Sequence, residues 1–151
     1  MPANKVADFT LPATGGGTFR LSDHAGSPVV LYFYPKDNTP GCTTETAAFR
    51  DLHARFAKAG AVVAGISRDS VKSHESFAAK LELPFRLLSD ADEAVCTQFD
   101  VIRMKNMYGK QVRGIERSTF VVAADGTLAH EWRGVKVPGH AEEVLRFVKE
   151  M

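Results

Sequence analysis

One segment restricts the fold more than any other. Val29-Val30-Leu31-Tyr32-Phe33-Tyr34 is apolar without interruption and is bounded by Pro28 and Pro35. It is far too short to span a bilayer. A strand in water with one covered face alternates apolar and polar residues, so an unbroken run signals burial on both faces, in the middle of a sheet covered by helices. Ala61 to Ile66 and Thr119 to Val122 have the same character. Leu128 to Trp132 follows the latter across Asp125-Gly126, a hairpin signal. Helical spacing separates these strands: Phe49, Leu52, His53 and Phe56 share one face, as do His74, Phe77, Ala78 and Leu81, and Ala141, Val144, Leu145 and Val148. A shorter helix is expected from Asp92 to Phe99. Thr18 to Leu21, after the turn Gly15-Gly16-Gly17, adds a short β segment near the start. The expected order is β-β-β-α-β-α-β-α-β-β-α, an α/β chain whose mixed central sheet is flanked by helices.

Length and composition exclude several classes. The 151 residues suit one domain, residues 1–151, with no linker, repeat or low-complexity segment. With 44% hydrophobic and 25% charged residues, the chain is neither disordered nor collagen-like. Nineteen Lys and Arg against eighteen Asp and Glu give a net charge of +1, which offers no footing for nucleic acid or an anionic membrane. Two cysteines cannot form a disulfide framework, and Met1 to Phe9 carries no apolar leader segment. The expected compartment is the reducing cytoplasm, where a cysteine is chemical or packed rather than bridged.

Sheets of this kind hold their chemistry at the carboxyl ends of the central strands. The informative segment is therefore the one after Tyr34, Pro35-Lys36-Asp37-Asn38-Thr39-Pro40-Gly41-Cys42-Thr43-Thr44-Glu45. Thr39 followed by Pro40 reads as an N-cap followed by proline at the first helical position, where proline costs nothing. Cys42 then sits in the first turn, among unpartnered N–H groups at the positive end of the helix dipole, an environment that favours thiolate. Free cysteines are usually buried small hydrophobes. The placement of this one, at a strand end and a helix start, is that of a nucleophile. Glu45 either faces the sulfur, caps the helix start or holds an arginine, and the sequence leaves these open.

These residues carry a resemblance. Pro35, Thr39 and Cys42, at their spacing, resemble the active-site signature of the peroxiredoxins. The stretch from Tyr34 to Glu45 resembles the bacterioferritin comigratory protein (PrxQ) branch. Asp8-Phe9-Thr10-Leu11-Pro12, Ser67-Arg68-Asp69-Ser70, Leu88-Ser89-Asp90 and Arg117-Ser118-Thr119-Phe120-Val121 extend it over essentially the whole chain. The resemblance implies a thioredoxin-like fold with an N-terminal β extension. It implies a thiol-dependent peroxidase in which Cys42 attacks a hydroperoxide and becomes a sulfenic acid. Thr39 matches the family's active-site hydroxyl, Arg117 its arginine, and Pro35 the proline that shields the cysteine. Arginine offers several fixed donors to a thiolate and a leaving oxygen. No cofactor or metal is expected, and no histidine pair has helical metal-ligand spacing.

The chain departs from the branch at the resolving cysteine. Ala47 stands where many members have one, and the helix expected from Val71 to Leu81 has none. Cys96 reads as a packing residue beside Val95 and Phe99. The expectation is a monomeric one-cysteine enzyme, with no long apolar edge calling for a partner, reduced by an external thiol such as thioredoxin, glutaredoxin or a small thiol. A dithiol–disulfide oxidoreductase is disfavoured because residues 39 and 45 are Thr and Glu, leaving no Cys-x-x-Cys. A cysteine hydrolase lacks a nearby histidine, and an oxidant-sensing binding protein would lack turnover. His53 and His74 read as half-buried packing residues, and the basic segment from Arg103 to Arg117 as a solvated loop beside the site.

Overall fold

A computed structural model describes residues 5–151, the side chain of Met107 excepted; Met1 to Asn4, part of the segment read for a leader, lie outside the described residues. Two short strands, β1 (Thr10–Pro12) and β2 (Thr18–Arg20), form an antiparallel N-terminal hairpin. The central sheet holds β3 (Val29–Phe33), β4 (Val62–Ser67), β5 (Arg86–Ser89), β8 (Ser118–Val122) and β9 (Leu128–Arg133) in the order β5-β4-β3-β8-β9. Strands β3, β4 and β5 run parallel, while β8 and β9 are antiparallel to their neighbours. The helices are α1 (Pro40–Lys58), α2 (Val71–Leu81), α3 (Ala94–Gln98) and α4 (His140–Lys149).

Strand β3 is buried along its whole length, as its unbroken apolar run demands. Val29, Leu31 and Phe33 face a cluster formed with the N-terminal hairpin, α3 and Phe120. Val30, Tyr32 and Tyr34 face the opposite cluster with Phe49 and Phe56 of α1, Phe77 of α2 and Val144 and Val148 of α4. Cys42 belongs to this second cluster and Cys96 to the first, so the two thiols lie on opposite faces of the sheet. Tyr32 seats α1: its ring stacks on Phe49 at 4.6 Å and its hydroxyl donates to Thr46 Oγ1 at 3.0 Å.

The segment from Arg103 to Arg117 is not a loop. It contains an antiparallel hairpin, β6 (Ile102–Met107) and β7 (Lys110–Ile115). Tyr108 and Gly109 turn it with φ of 53° and 78°, the two positive values a type I′ turn requires. Tyr-Gly is a weaker turn signal than Asn-Gly, which explains why composition reads as loop. Its charges are partly tied down, Arg103 to Asp100 and Arg113 to Glu93. Helix α3 is also shorter than its sequence pattern, because Asp90 accepts from the N–H groups of Val95 and Cys96 and starts the helix late.

Gly65 of β4 sits opposite Tyr32, and a Cβ there would lie 2.6 Å from Tyr32 Cζ and 2.8 Å from Leu87 Cδ2. Gly65→Ala is expected to cost about 1–3 kcal/mol through overpacking, read as a lower urea midpoint with unchanged slope. A midpoint equal to the parent's would contradict this packing.

Candidate active site

Strand pairing decides which residues meet. Phe33 at the end of β3 pairs with Ser118 at the start of β8, because these strands are antiparallel. Arg117, one residue before β8, therefore arrives where β3 hands the chain to α1. Its backbone is held there by the N–H of Val135, which donates to Arg117 O at 3.0 Å. Helix α1 begins with Thr39 in an extended conformation and Pro40 in the first turn, as the pattern predicts. The Thr39 side chain makes no cap hydrogen bond; its hydroxyl donates instead to Lys36 O at 2.9 Å.

Cys42 lies in that first turn and is 1% exposed. Arg117 Nη2 approaches its Sγ at 3.5 Å, and Arg117 Nη1 donates to Glu45 Oε1 at 2.6 Å. Of the three roles open to Glu45, the structure selects holding the arginine. Gly41 makes room for this arrangement, since a Cβ there would stand 3.1 Å from Arg117 Nη2. Pro35 is half-buried in the same connection. Cys42, Thr39, Pro35 and Arg117 thus converge at one end of the sheet, and Cys96 does not join them.

Glu45 is nearly fully buried, and its second oxygen, Oε2, has no hydrogen-bond partner. Burial pushes its carboxyl up from 4.5 to about 7, and the opposing pull of Arg117 is too weak to cancel that. The Cys96 thiol is raised strongly by burial and by the neighbouring Asp90 carboxylate, which disfavours a thiolate there.

A second polar cluster, legible in sequence only as separate residues, holds the connection from behind. Asp37, 4% exposed, accepts from Tyr34 Oη at 2.6 Å, from Ser73 Oγ at 2.8 Å and from His74 Nδ1 at 2.8 Å. Its own N–H donates to Asp69 Oδ2 at 2.9 Å, an oxygen that also accepts from Ser67 Oγ at 2.6 Å. His74 Nε2 lies 3.0 Å from Leu88 O. His74 is therefore a buried hydrogen-bonding residue rather than half-buried packing; His53 is half-buried as expected. Burial pushes the Asp37 carboxyl up, but the hydrogen bonds from His74, Tyr34 and Ser73 overcome it and leave it lowered. Donor atoms of Asp37, Asp69 and His74 lie within 4.8 Å of one another, the spacing of a cation site. Hydrogen bonds within the protein already account for the contacts among them.

The AhpC/TSA family model matches residues 2–131. The chain belongs to that family. Within it, peroxiredoxin Bcp of Xanthomonas campestris is 56% identical over 142 residues, 94% of this chain and 89% of that protein. Peroxiredoxin Bcp of Bacillus subtilis is 48% identical over 147 residues, 97% and 94% of the two chains. A structure of the Xanthomonas campestris bacterioferritin comigratory protein, described for its alkyl peroxide reduction activity, superposes with a TM-score of 0.90 at 55% identity, covering 94% of this chain and 90% of that one. A peroxiredoxin 6 of Arenicola marina, 20% identical with a TM-score of 0.84, covers 98% and 72% of the two chains and shares the fold alone. The chain is a peroxiredoxin of the bacterioferritin comigratory protein branch, a thiol-dependent peroxidase with a thioredoxin-like fold. Among the described residues no helix is long and apolar enough to cross a membrane.

The raised Glu45 carboxyl has a measurable sign. Between pH 4.5 and about 7 the folded protein holds this proton more tightly than the unfolded chain, so stability falls as pH rises through that window. The unfolding free energy of the parent minus that of Glu45→Gln is expected to shrink from pH 4.5 to 7.5 in urea titrations. A difference independent of pH would show that Glu45 is ionised throughout.

Proposed function

We propose that Cys42 is the peroxidatic nucleophile for hydrogen peroxide and organic hydroperoxides, with Arg117, Thr39 and Pro35 completing the site. The approach of Arg117 Nη2 to Cys42 Sγ, 3.5 Å at the first turn of α1, carries this reading. The thiolate attacks the terminal peroxide oxygen. The S–O bond forms as the O–O bond breaks, the sulfur is oxidised to sulfenic acid, and the leaving oxygen takes a proton to depart as water or alcohol. Negative charge moves from sulfur to the leaving oxygen during this displacement. A guanidinium with one donor on the sulfur and others fixed in the same plane can follow that charge, and its ion pair with Glu45 holds it in place. Because the Thr39 hydroxyl gives its proton to Lys36 O, its oxygen is left to accept a hydrogen bond from a hydroperoxide. Pro35 shields the sulfur from bulk water. The activity described for the Xanthomonas protein supports including alkyl hydroperoxides among the substrates.

The same reading makes this a one-cysteine enzyme. Cys96 is fully buried, carries a strongly raised thiol and lies across the sheet from Cys42. An external thiol (thioredoxin, glutaredoxin or a small thiol) would therefore condense with the sulfenic acid, releasing water and leaving a mixed disulfide. A second thiol then restores Cys42 and carries away the disulfide. Two free buried cysteines support a reducing compartment, the cytoplasm. The exposed large apolar residues among those described, Met104, Tyr108, Val112 and Met151, form no broad shared face, which supports a monomer.

Cys42→Ser is expected to abolish peroxide turnover, whereas Cys96→Ser keeps most of it with dithiothreitol as reductant. A folded Cys96→Ser protein without turnover would overturn the one-cysteine reading. Arg117→Ala is expected to lower the second-order rate constant with hydrogen peroxide by on the order of 100-fold. An unchanged rate constant would remove Arg117 from the site.

A further inference from the structure

Thr39 is placed by a stretch of chain whose shape is unusual. Asn38 sits between Asp37 and Thr39 with φ of 63°, a left-handed conformation that residues with a Cβ adopt at a cost, asparagine among the more readily. Lys36 O, the acceptor for the Thr39 hydroxyl, immediately precedes Asp37. Whatever fixes Asp37 therefore fixes the carbonyl on one side and the strained turn into Thr39 on the other.

Asp37 is fixed from three elements. Tyr34 follows β3, Ser73 and His74 belong to α2, and Asp69 follows β4. The two His74 nitrogens are held from both sides, Nε2 by the Leu88 carbonyl and Nδ1 by the Asp37 carboxylate. Burial of Tyr34, Asp37 and His74 makes the bonds among them costly to lose. None of these side chains contacts Cys42, Glu45 or Arg117 through a hydrogen bond in the structure, so the cluster is not a second route to the sulfur.

We propose that Asp37 is a positioning residue for peroxide reduction: clamped by His74, Ser73, Tyr34 and Asp69, it aims the Thr39 hydroxyl into the site by fixing Lys36 O and the Asn38 turn. The proposal rests on the role given to Thr39 above. It separates two functions that one connection combines. Reactivity of the sulfur depends on the helix start and Arg117. Registration of the peroxide depends on Thr39 and hence on Asp37. A displacement of about 1 Å in such a group is enough to cost on the order of 100-fold in rate.

A double-mutant cycle tests this on the full-length reduced protein. Asp37→Asn, Thr39→Val and the double variant are compared in the second-order rate constant for hydrogen peroxide, with alkylation of Cys42 by iodoacetamide as the control for sulfur reactivity. Ser73→Ala, which deletes one hydrogen bond to Asp37 from a half-buried position, serves as the milder variant should Asp37→Asn fail to fold. The expected result is a fall of about tenfold to a hundredfold in peroxide rate for Asp37→Asn and a smaller one for Ser73→Ala. Cys42 alkylation should stay at the parent's rate, and the double variant should be no slower than Thr39→Val alone. Full peroxide rate in a folded Asp37→Asn or Ser73→Ala protein overturns the proposal, as do additive losses in the cycle or a matching fall in alkylation. Thr39→Val with the parent's rate overturns the Thr39 role itself and the proposal with it.

Discussion

Everything at the site depends on the antiparallel pairing of β3 with β8. A parallel neighbour would deliver the start of β8 to the far end of the sheet. Antiparallel pairing of Phe33 with Ser118 instead places Arg117 beside the connection that carries Cys42, although the two are distant in sequence. The parallel neighbours β4 and β5 bring Ser67, Asp69 and Leu88 to the same end. One sheet edge thus collects Cys42, the Arg117 guanidinium and the polar cluster behind them.

Two buried carboxylates serve that edge under opposite conditions. Asp37 has three donors on its oxygens in addition to a fixed backbone, so its charge is well compensated. Glu45 has a strong bond to Arg117 on one oxygen and none on the other. A buried charge with incomplete compensation is unstable, yet it restrains the guanidinium that also faces the sulfur. The first carboxylate is tied into the connection itself, and the second bears on the guanidinium that faces Cys42.

Much of this was legible in the residues themselves. The unbroken run from Val29 to Tyr34 announces a strand covered on both faces, and Thr39-Pro40 announces the start of α1 with Cys42 in its first turn. These are local rules, and they hold because neighbouring residues execute them. The hairpin from Ile102 to Ile115 escaped because Tyr108-Gly109 makes its turn without the usual Asn or Asp, and its strands carry exposed basic residues in place of an apolar alternation. The cluster of Tyr34, Asp37, Asp69, Ser73 and His74 escaped for a different reason. Each member looks like an ordinary polar residue, and only strand order brings the ends of β3 and β4 and the start of α2 together. Glu45 had three outcomes in sequence, and the arrival of Arg117 through β8 decides among them.

The central sheet is also a partition between two thiols. Cys42 packs on one side and Cys96 on the other, so an internal disulfide would require a segment carrying one thiol to leave its own cluster and reach the other face. In the one-cysteine reading, an oxidised molecule has no internal store for its oxidation and waits for a collision. The lifetime of the sulfenic acid then varies inversely with the concentration of thiol outside the protein. At steady state the oxidised fraction of the population becomes a ratio meter, set by peroxide arriving against thiol available.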